Sequence, residues 1–437
     1  MTHQKQENEH ALPRSIIAVV ARGVKRLWPS EQTASVGTGA DVSAGIALSG
    51  TAGIAQISAL LALVLHQQEQ TVFQRLREWY LDGKHKSGKK RRELDVTSCF
   101  APLLRWIVRL WESGNQQIVL VLDATTLGER WTILSISVVV RACAIPVAWK
   151  VVGGHEKGSW RPHWEGLLKH LEGSIPPDWN VLVMADRGLY ARWLFQAIVA
   201  CGWHPFLRLN LGVKARAVGE EDFDWISRWT PVPGTSWKGV VECFAGKASR
   251  VTGTLLMHWQ AGYEHPWVVL TDLSPEEADV CWYGMRTWIE TGFKDFKRGL
   301  WGWHHSKMPE ASRVERLWLA MAVAQVWSVS VGCQAEVQQE QNHPAVNLPA
   351  THIARRRRKR PAGQPPQRRL SCVVRGRLSL VAALFSAEIL LCGRLRAEAW
   401  PETITAPRKL PSASVLRQRE RKREQKRRAR ARARTAA

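Results

Sequence analysis

Acidic residues are scarce in this sequence. Its 437 residues include 38 Asp and Glu against 62 Lys and Arg, a formal net charge of +24. That imbalance argues against a cationic partner and points to a polyanion, most simply nucleic acid. Metal-binding and redox cysteine patterns are also missing. The eight cysteines (Cys99, Cys143, Cys201, Cys243, Cys281, Cys333, Cys372 and Cys392) are scattered, with no two spaced as a zinc knuckle or redox pair. They read as reduced core residues of a cytosolic protein. Met1–His10 is polar and does not read as a signal peptide. No internal repeat is found, which sets aside solenoid architectures. Charge is absent from Gly45 to Leu65, a stretch long enough to cross a bilayer. Its Gly45, Ser49, Gly50, Thr51, Gly53, Gln56 and Ser58 lower the hydrophobicity, so a buried helical hairpin or packed core helix is expected, with no membrane partner.

What is present is globular: 45% of residues are hydrophobic and 23% charged, in a chain long enough for two or three domains. The positive charge is uneven, with 25 Lys and Arg against 5 Asp and Glu between Thr351 and Ala437. The body is therefore close to neutral and the tail strongly basic. Arg355–Arg360 is a cationic block, Arg377–Leu391 has the composition of one more apolar helix, and Arg417–Arg434 is arginine-rich. The last of these is expected to be disordered unless bound, adding salt-sensitive affinity for DNA.

Along the chain the patterning is α/β. Residues 41–95 and Cys99–Glu112 have helical spacing. Ile118–Leu122 is an apolar run ending at Asp123, and Val181–Ala185 another ending at Asp186, each with the signature of a doubly covered central strand. Trp131–Val140 and Arg141–Val152 read as two more strands, turning near Arg141. Residues 212–268, rich in Gly, Thr, Val and Trp, read as a β-rich insertion. Ser274-Pro275-Glu276-Glu277 has the form of a capping box and is expected to open a helix running through Lys297.

That helix carries Tyr283, Arg286, Glu290 and Lys297. At about 100° per residue the four side chains fall within an arc of roughly 60°. One face then presents a carboxylate beside three donors suited to phosphate oxygens. Asp123, Asp186 and Glu290 together form a hard oxygen ligand set, suited to Mg²⁺ or Mn²⁺ and not to zinc. Two such ions about 3.5–4 Å apart can activate an attacking oxygen and stabilise the leaving oxygen of an in-line displacement.

The spacing of Tyr283, Arg286, Glu290 and Lys297, with the segments Leu122-Asp123-Ala124-Thr125-Thr126 and Ala185-Asp186-Arg187-Gly188, resembles the DDE transposases of bacterial insertion sequences of the IS-four type. The resemblance covers roughly residues 70–330. It implies a ribonuclease-H-like mixed sheet flanked by helices, a β-rich insertion before the glutamate helix, and cut-and-paste movement of double-stranded DNA. It also implies Asp123, Asp186 and Glu290 as catalytic and metal-binding residues, two Mg²⁺ or Mn²⁺ ions per site, and Tyr283, Arg286 and Lys297 as DNA-binding residues. A homodimer bringing two element ends together, in a bacterial cytoplasm, follows from the same resemblance. In related enzymes a hairpin intermediate places a flipped base on an aromatic side chain of the insertion; Trp225, Trp229, Trp237, Trp259 and Trp267 are available.

The expected organisation is a flexible arm (1–40), a helical DNA-binding region (41–114), a first part of the catalytic core (115–211), the insertion (212–268), a second part of the core with the glutamate helix (269–335), and a basic, partly disordered C-terminal region (336–437). Two other readings share these features: a catalytically silent DNA-binding relic or repressor, and a metal-dependent nuclease without strand transfer.

Overall fold

A computed structural model describes residues 33–342 and 370–401, apart from 88–92, 113, 115, 157–158, 230–231, 261–263, 387, 389–391 and 398–399. The expectations for residues 1–32, for the cationic block at 355–360 and for the arginine-rich segment at 417–434 lie outside the described residues.

The chain is α/β, built on one ten-stranded mixed sheet with strand order β3-β2-β1-β4-β5-β10-β9-β8-β6-β7. Its first half comprises β1 (Gln117–Leu127), β2 (Trp131–Val140), β3 (Cys143–Gly153), β4 (Asn180–Ala185) and β5 (His204–Arg208). β1, β2 and β3 form an antiparallel meander, whereas β4 lies parallel to β1 and β5 parallel to β4. The β2–β3 turn places Arg141 at φ 49° and Ala142 at φ 59°. Two successive positive φ values are what a tight hairpin needs to match the strand twist. Ile118 through Leu122 and Val181 through Ala185 are almost fully buried, as the uninterrupted apolar runs require of strands covered on both faces.

The β-rich segment 212–268 is not a separate body. Its strands β6 (Lys214–Ala217), β7 (Asp224–Trp225), β8 (Ser236–Cys243) and β9 (Val251–His258) continue the main sheet, because β9 pairs with β10 (Trp267–Thr271), and β10 pairs with β5. Alternation alone reveals strands; it does not reveal which edge they extend.

The helices are α1 (Thr33–Ser49), α2 (Ile54–Leu65), α3 (Glu69–Tyr80), α4 (Phe100–Leu110), α5 (Arg161–Leu171), α6 (Arg192–Ala200), α7 (Trp288–Lys294), α8 (Ala311–Asn342) and α9 (Cys372–Phe385); α4 to α8 pack on the strands, and α1 and α9 pack on α8. α1 begins inside the segment expected to be a flexible arm, and Ala40 is fully buried. The uncharged stretch 45–65 is split between α1 and α2, which are bent by 96° at Gly50–Gly53. Among the described residues one helical stretch, Ala311–Gln338 in α8, is long and apolar enough to cross a membrane, and 94% of its most apolar window is buried inside the molecule. Its apolar surface faces protein all round, as in a core helix.

α9 starts at Cys372, five residues before the expected Arg377, because the Ser371 hydroxyl accepts a hydrogen bond from the Val374 N–H and caps it. It packs directly on α8, with the Cys333 and Cys372 sulfurs 3.7 Å apart. A Cβ at Gly376 would lie 1.7 Å from the Ser328 carbonyl oxygen and 2.6 Å from the Gly332 nitrogen. Those are backbone atoms that cannot turn away. Gly376→Ala is therefore expected to lower stability by about 3 kcal/mol, the upper range for overpacking a core, measured as a shift in the urea midpoint.

Candidate active site

The parallel pairings end together on one rim. Leu122 pairs with Ala185, and Ala185 with Leu207, across β1, β4 and β5. The next residue along each strand is polar: Asp123, Asp186 and Arg208. Asp123 does not end its strand, as the apolar run suggested. β1 continues to Leu127 because its partner on the other side, β2, is longer than β4, and Asp123 pairs with Ser135. What ends at Leu122 is the pairing with β4. Crevices at the carboxyl ends of parallel strands are where α/β sheets bind ligands.

Each aspartate is fixed through one oxygen. Asp123 Oδ1 accepts from the Ala124 N–H at 2.8 Å, and Asp186 Oδ1 from the Gly188 N–H at 2.8 Å. Their other oxygens meet the Arg286 guanidinium, with Nη2 2.7 Å from Asp123 Oδ2 and 3.5 Å from Asp186 Oδ2. Nη1 lies 2.6 Å from Glu290 Oε1. Two aspartate oxygens on a single nitrogen cannot be farther apart than the total of its two contacts. Residues 123, 186 and 290 thus converge on one group despite their separation along the chain.

The glutamate segment differs from the single α-helix expected. Ser274 and Glu277 do exchange capping hydrogen bonds, Glu277 Oε2 accepting from the Ser274 N–H at 3.2 Å and Ser274 Oγ from the Glu277 N–H at 3.4 Å, but they close an isolated turn. Helical structure begins at Val280, where the Asp279 side chain accepts from the Cys281 N–H. Val280–Thr287 is 3₁₀, α7 follows, and Asp295–Gly299 is a π turn. Tyr283 and Arg286 stay aligned because side chains three apart eclipse in a 3₁₀ helix. Sequence periodicity assumes one pitch and cannot register such changes.

Tyr283 is buried, and its hydroxyl donates to the Ala185 carbonyl at 3.3 Å, bracing the strand end that carries Asp186. Burial pushes its phenol up to about 12, against the pull of Arg286 and Arg208. Lys297, on the π turn, is half-buried and forms no ion pair with the three acids. Burial, aided by neighbouring Arg298, lowers its ammonium pKa. Arg208 was not singled out from the sequence. Its guanidinium lies over the Tyr283 ring at 5.7 Å, and burial lowers its pKa. The signal that could have found it is positional, a basic residue ending the strand after that of Asp186. Of the five tryptophans, Trp267 packs edge-on against Tyr283 at 5.7 Å, whereas Trp225 is exposed beside Lys214 on β7, at the far edge of the sheet. Trp229 and Trp237 pack on one another, and Trp259 is buried.

Burial raises the Asp123 carboxyl above the ordinary carboxylate range, while Arg286 and the Ala124 N–H oppose it. Burial also disfavours the Arg286 cation, but the surrounding carboxylates more than compensate and its pKa is raised. The side chains open progressively to solvent: Arg286 is 11% exposed, Asp123 19%, Asp186 42% and Glu290 53%. Chemically the donor set fits a hard divalent cation. Among the described residues, however, no three acidic, histidine or cysteine side chains already enclose an ion-sized point. The guanidinium lies where the oxygens converge and stands in for positive charge.

Asp295, five residues beyond Glu290, is 8% exposed, and its Oδ2 has no hydrogen-bond partner. Burial pushes its carboxyl up to about 7, with Lys294 opposing. A carboxyl that binds its proton more tightly when folded makes the folded state lose stability as pH rises from about 4 through 7. Each tenfold change in proton affinity is worth about 1.4 kcal/mol. Asp295→Asn is expected to match the parent near pH 4 and to exceed its melting temperature increasingly up to pH 8. A constant offset across that range would contradict this assignment.

No family model matches this chain, and no curated protein matches it either.

Proposed function

We propose that the chain is a DDE-type DNA transposase, which cleaves strands at the ends of a mobile element and joins the 3′-hydroxyls to target DNA. The observation that carries this reading is the meeting of Asp123, Asp186 and Glu290 around Arg286 on the rim of the sheet. The order β3-β2-β1-β4-β5, with an antiparallel meander followed by two parallel strands, supports a ribonuclease-H-like core. The spread of strands from β5 through β10 supports an insertion that enlarges the same sheet. The basic bias of the sequence supports DNA as the partner.

In this reading Asp123, Asp186 and Glu290 would hold Mg²⁺ or Mn²⁺. Bound ions supply activation of the attacking oxygen and stabilisation of the leaving oxygen. The remaining residues position the DNA. Arg286 and Arg208, planar and permanently charged, suit phosphate oxygens at the rim. Tyr283 keeps the Asp186 strand end in place, and Lys297 supports the backbone farther out. Cutting two element ends in concert calls for two copies of the chain, one per end.

The test uses the full chain with duplexes carrying the inverted repeats that flank its gene. Metal-dependent nicking, followed by joining of pre-cut 3′-hydroxyl ends to a plasmid, is the expected result. Binding without nicking would favour a silent DNA-binding relic, and nicking without joining a nuclease.

A further inference from the structure

Arg286 is held on three sides by the groups that the proposed chemistry needs for cations. Its side chain is only 11% exposed, so it is not a solvated arginine passing near the acids. Asp123 and Asp186 are tied down by backbone N–H groups through their other oxygens. Against the two aspartates, the arginine is therefore the partner with freedom to leave. Its planar fork matches carboxylate and phosphate equally well, but it cannot engage both. While it lies among the carboxylates, it occupies their free oxygens and supplies part of the positive charge that a divalent ion would bring.

We propose that Arg286 is a placeholder cation that couples metal binding to DNA binding, an inference that rests on the metal-dependent reading of this site. In the free protein the guanidinium holds the three acids and opposes metal uptake. A DNA phosphate at the rim draws it outward and leaves the acids to bind cations. Because coupling between two ligands is reciprocal, metal raises DNA affinity by the same factor as DNA raises metal affinity. The device keeps the acids from recruiting ions until a substrate is present.

The experiment measures Mn²⁺ uptake by the full chain, from the resonance of the free ion, with and without duplex DNA and after correction for uptake by the duplex alone. The parent is expected to bind Mn²⁺ about tenfold more tightly with DNA, within the usual range of coupling. Arg286→Gln is expected to bind it about tenfold more tightly than the parent without DNA, and to gain nothing further when DNA is added. Equal affinity of parent and Arg286→Gln without DNA, with uptake abolished by Asp123→Asn, overturns the coupling and leaves the metal centre standing. Absence of saturable uptake in both proteins, with and without DNA, overturns the metal centre and the coupling together. Should Arg286→Gln not fold, Arg286→Lys serves. Its ammonium lacks the planar fork and holds the three carboxylates less well, so its metal affinity without DNA should exceed that of the parent; no increase overturns the proposal. A parent whose Mn²⁺ affinity is indifferent to DNA overturns it too.

Discussion

Asp123→Ala, Asp186→Ala and Glu290→Ala are each expected to reduce strand cleavage by roughly a thousandfold or more, the scale of losing one member of a cooperating catalytic unit. Without added metal, DNA affinity should not fall, because phosphate contacts from basic residues dominate it. The three variants should differ in stability. Glu290 is half-exposed, so its loss leaves the fold nearly untouched; Asp123 is the least exposed partner of Arg286, and its loss leaves a largely buried cation with fewer counter-charges. Cleavage assays beside thermal melts separate the two effects. A variant that still nicks at near the parental rate removes that residue from the catalytic set.

The second large effect lies behind the sheet. Arg141, in the turn between β2 and β3, donates to Glu336 on α8 at 2.9 Å, with side chains 5% and 0% exposed. Its Nε also donates to the Arg396 carbonyl. Glu336→Ala leaves that guanidinium buried without its carboxylate and is expected to cost about 3–5 kcal/mol, read from urea denaturation. Because buried ion pairs often contribute little beyond a well-packed apolar replacement, Arg141→Met combined with Glu336→Leu should recover most of the loss. If the double variant is as unstable as Glu336→Ala, the pair does more than compensate its own burial. The pair also matters to the site: it fastens the β2–β3 hairpin to α8, and β2 carries Ser135, the partner of Asp123.

Several features were legible before any coordinates. Apolar runs of the length of a strand marked β1 and β4, since a strand covered on both faces cannot tolerate polar residues. The hairpin turn at Arg141 and the helical, partly buried character of residues 45–65 were equally apparent, and the polar residues after Leu122 and Ala185 drew attention because they interrupt such runs. Other features were not. The capping box at Ser274 was real in its hydrogen bonds but belonged to a turn, since a cap satisfies a backbone end without ensuring that a helix follows. The 3₁₀ and π turns around α7 change the pitch along the segment, and a periodicity count assumes a single pitch. Arg208 ends its strand, but only the parallel register of β4 and β5 sets that end beside the end that carries Asp186.

By itself the amino-acid order determined the inventory: two apolar strands each followed by an aspartate, a tyrosine, arginine, glutamate and lysine at helical spacing, and a strong excess of positive charge toward the C-terminus. Only the tertiary structure decided that residues 123, 186 and 290 share one guanidinium, and that Tyr283 faces inward to a carbonyl while Lys297 stands apart from the acids. The reason is physical. Patterns of burial are written locally, in the alternation and length of apolar runs. The meeting of distant carboxylates depends on strand register, which emerges only when the whole sheet has formed.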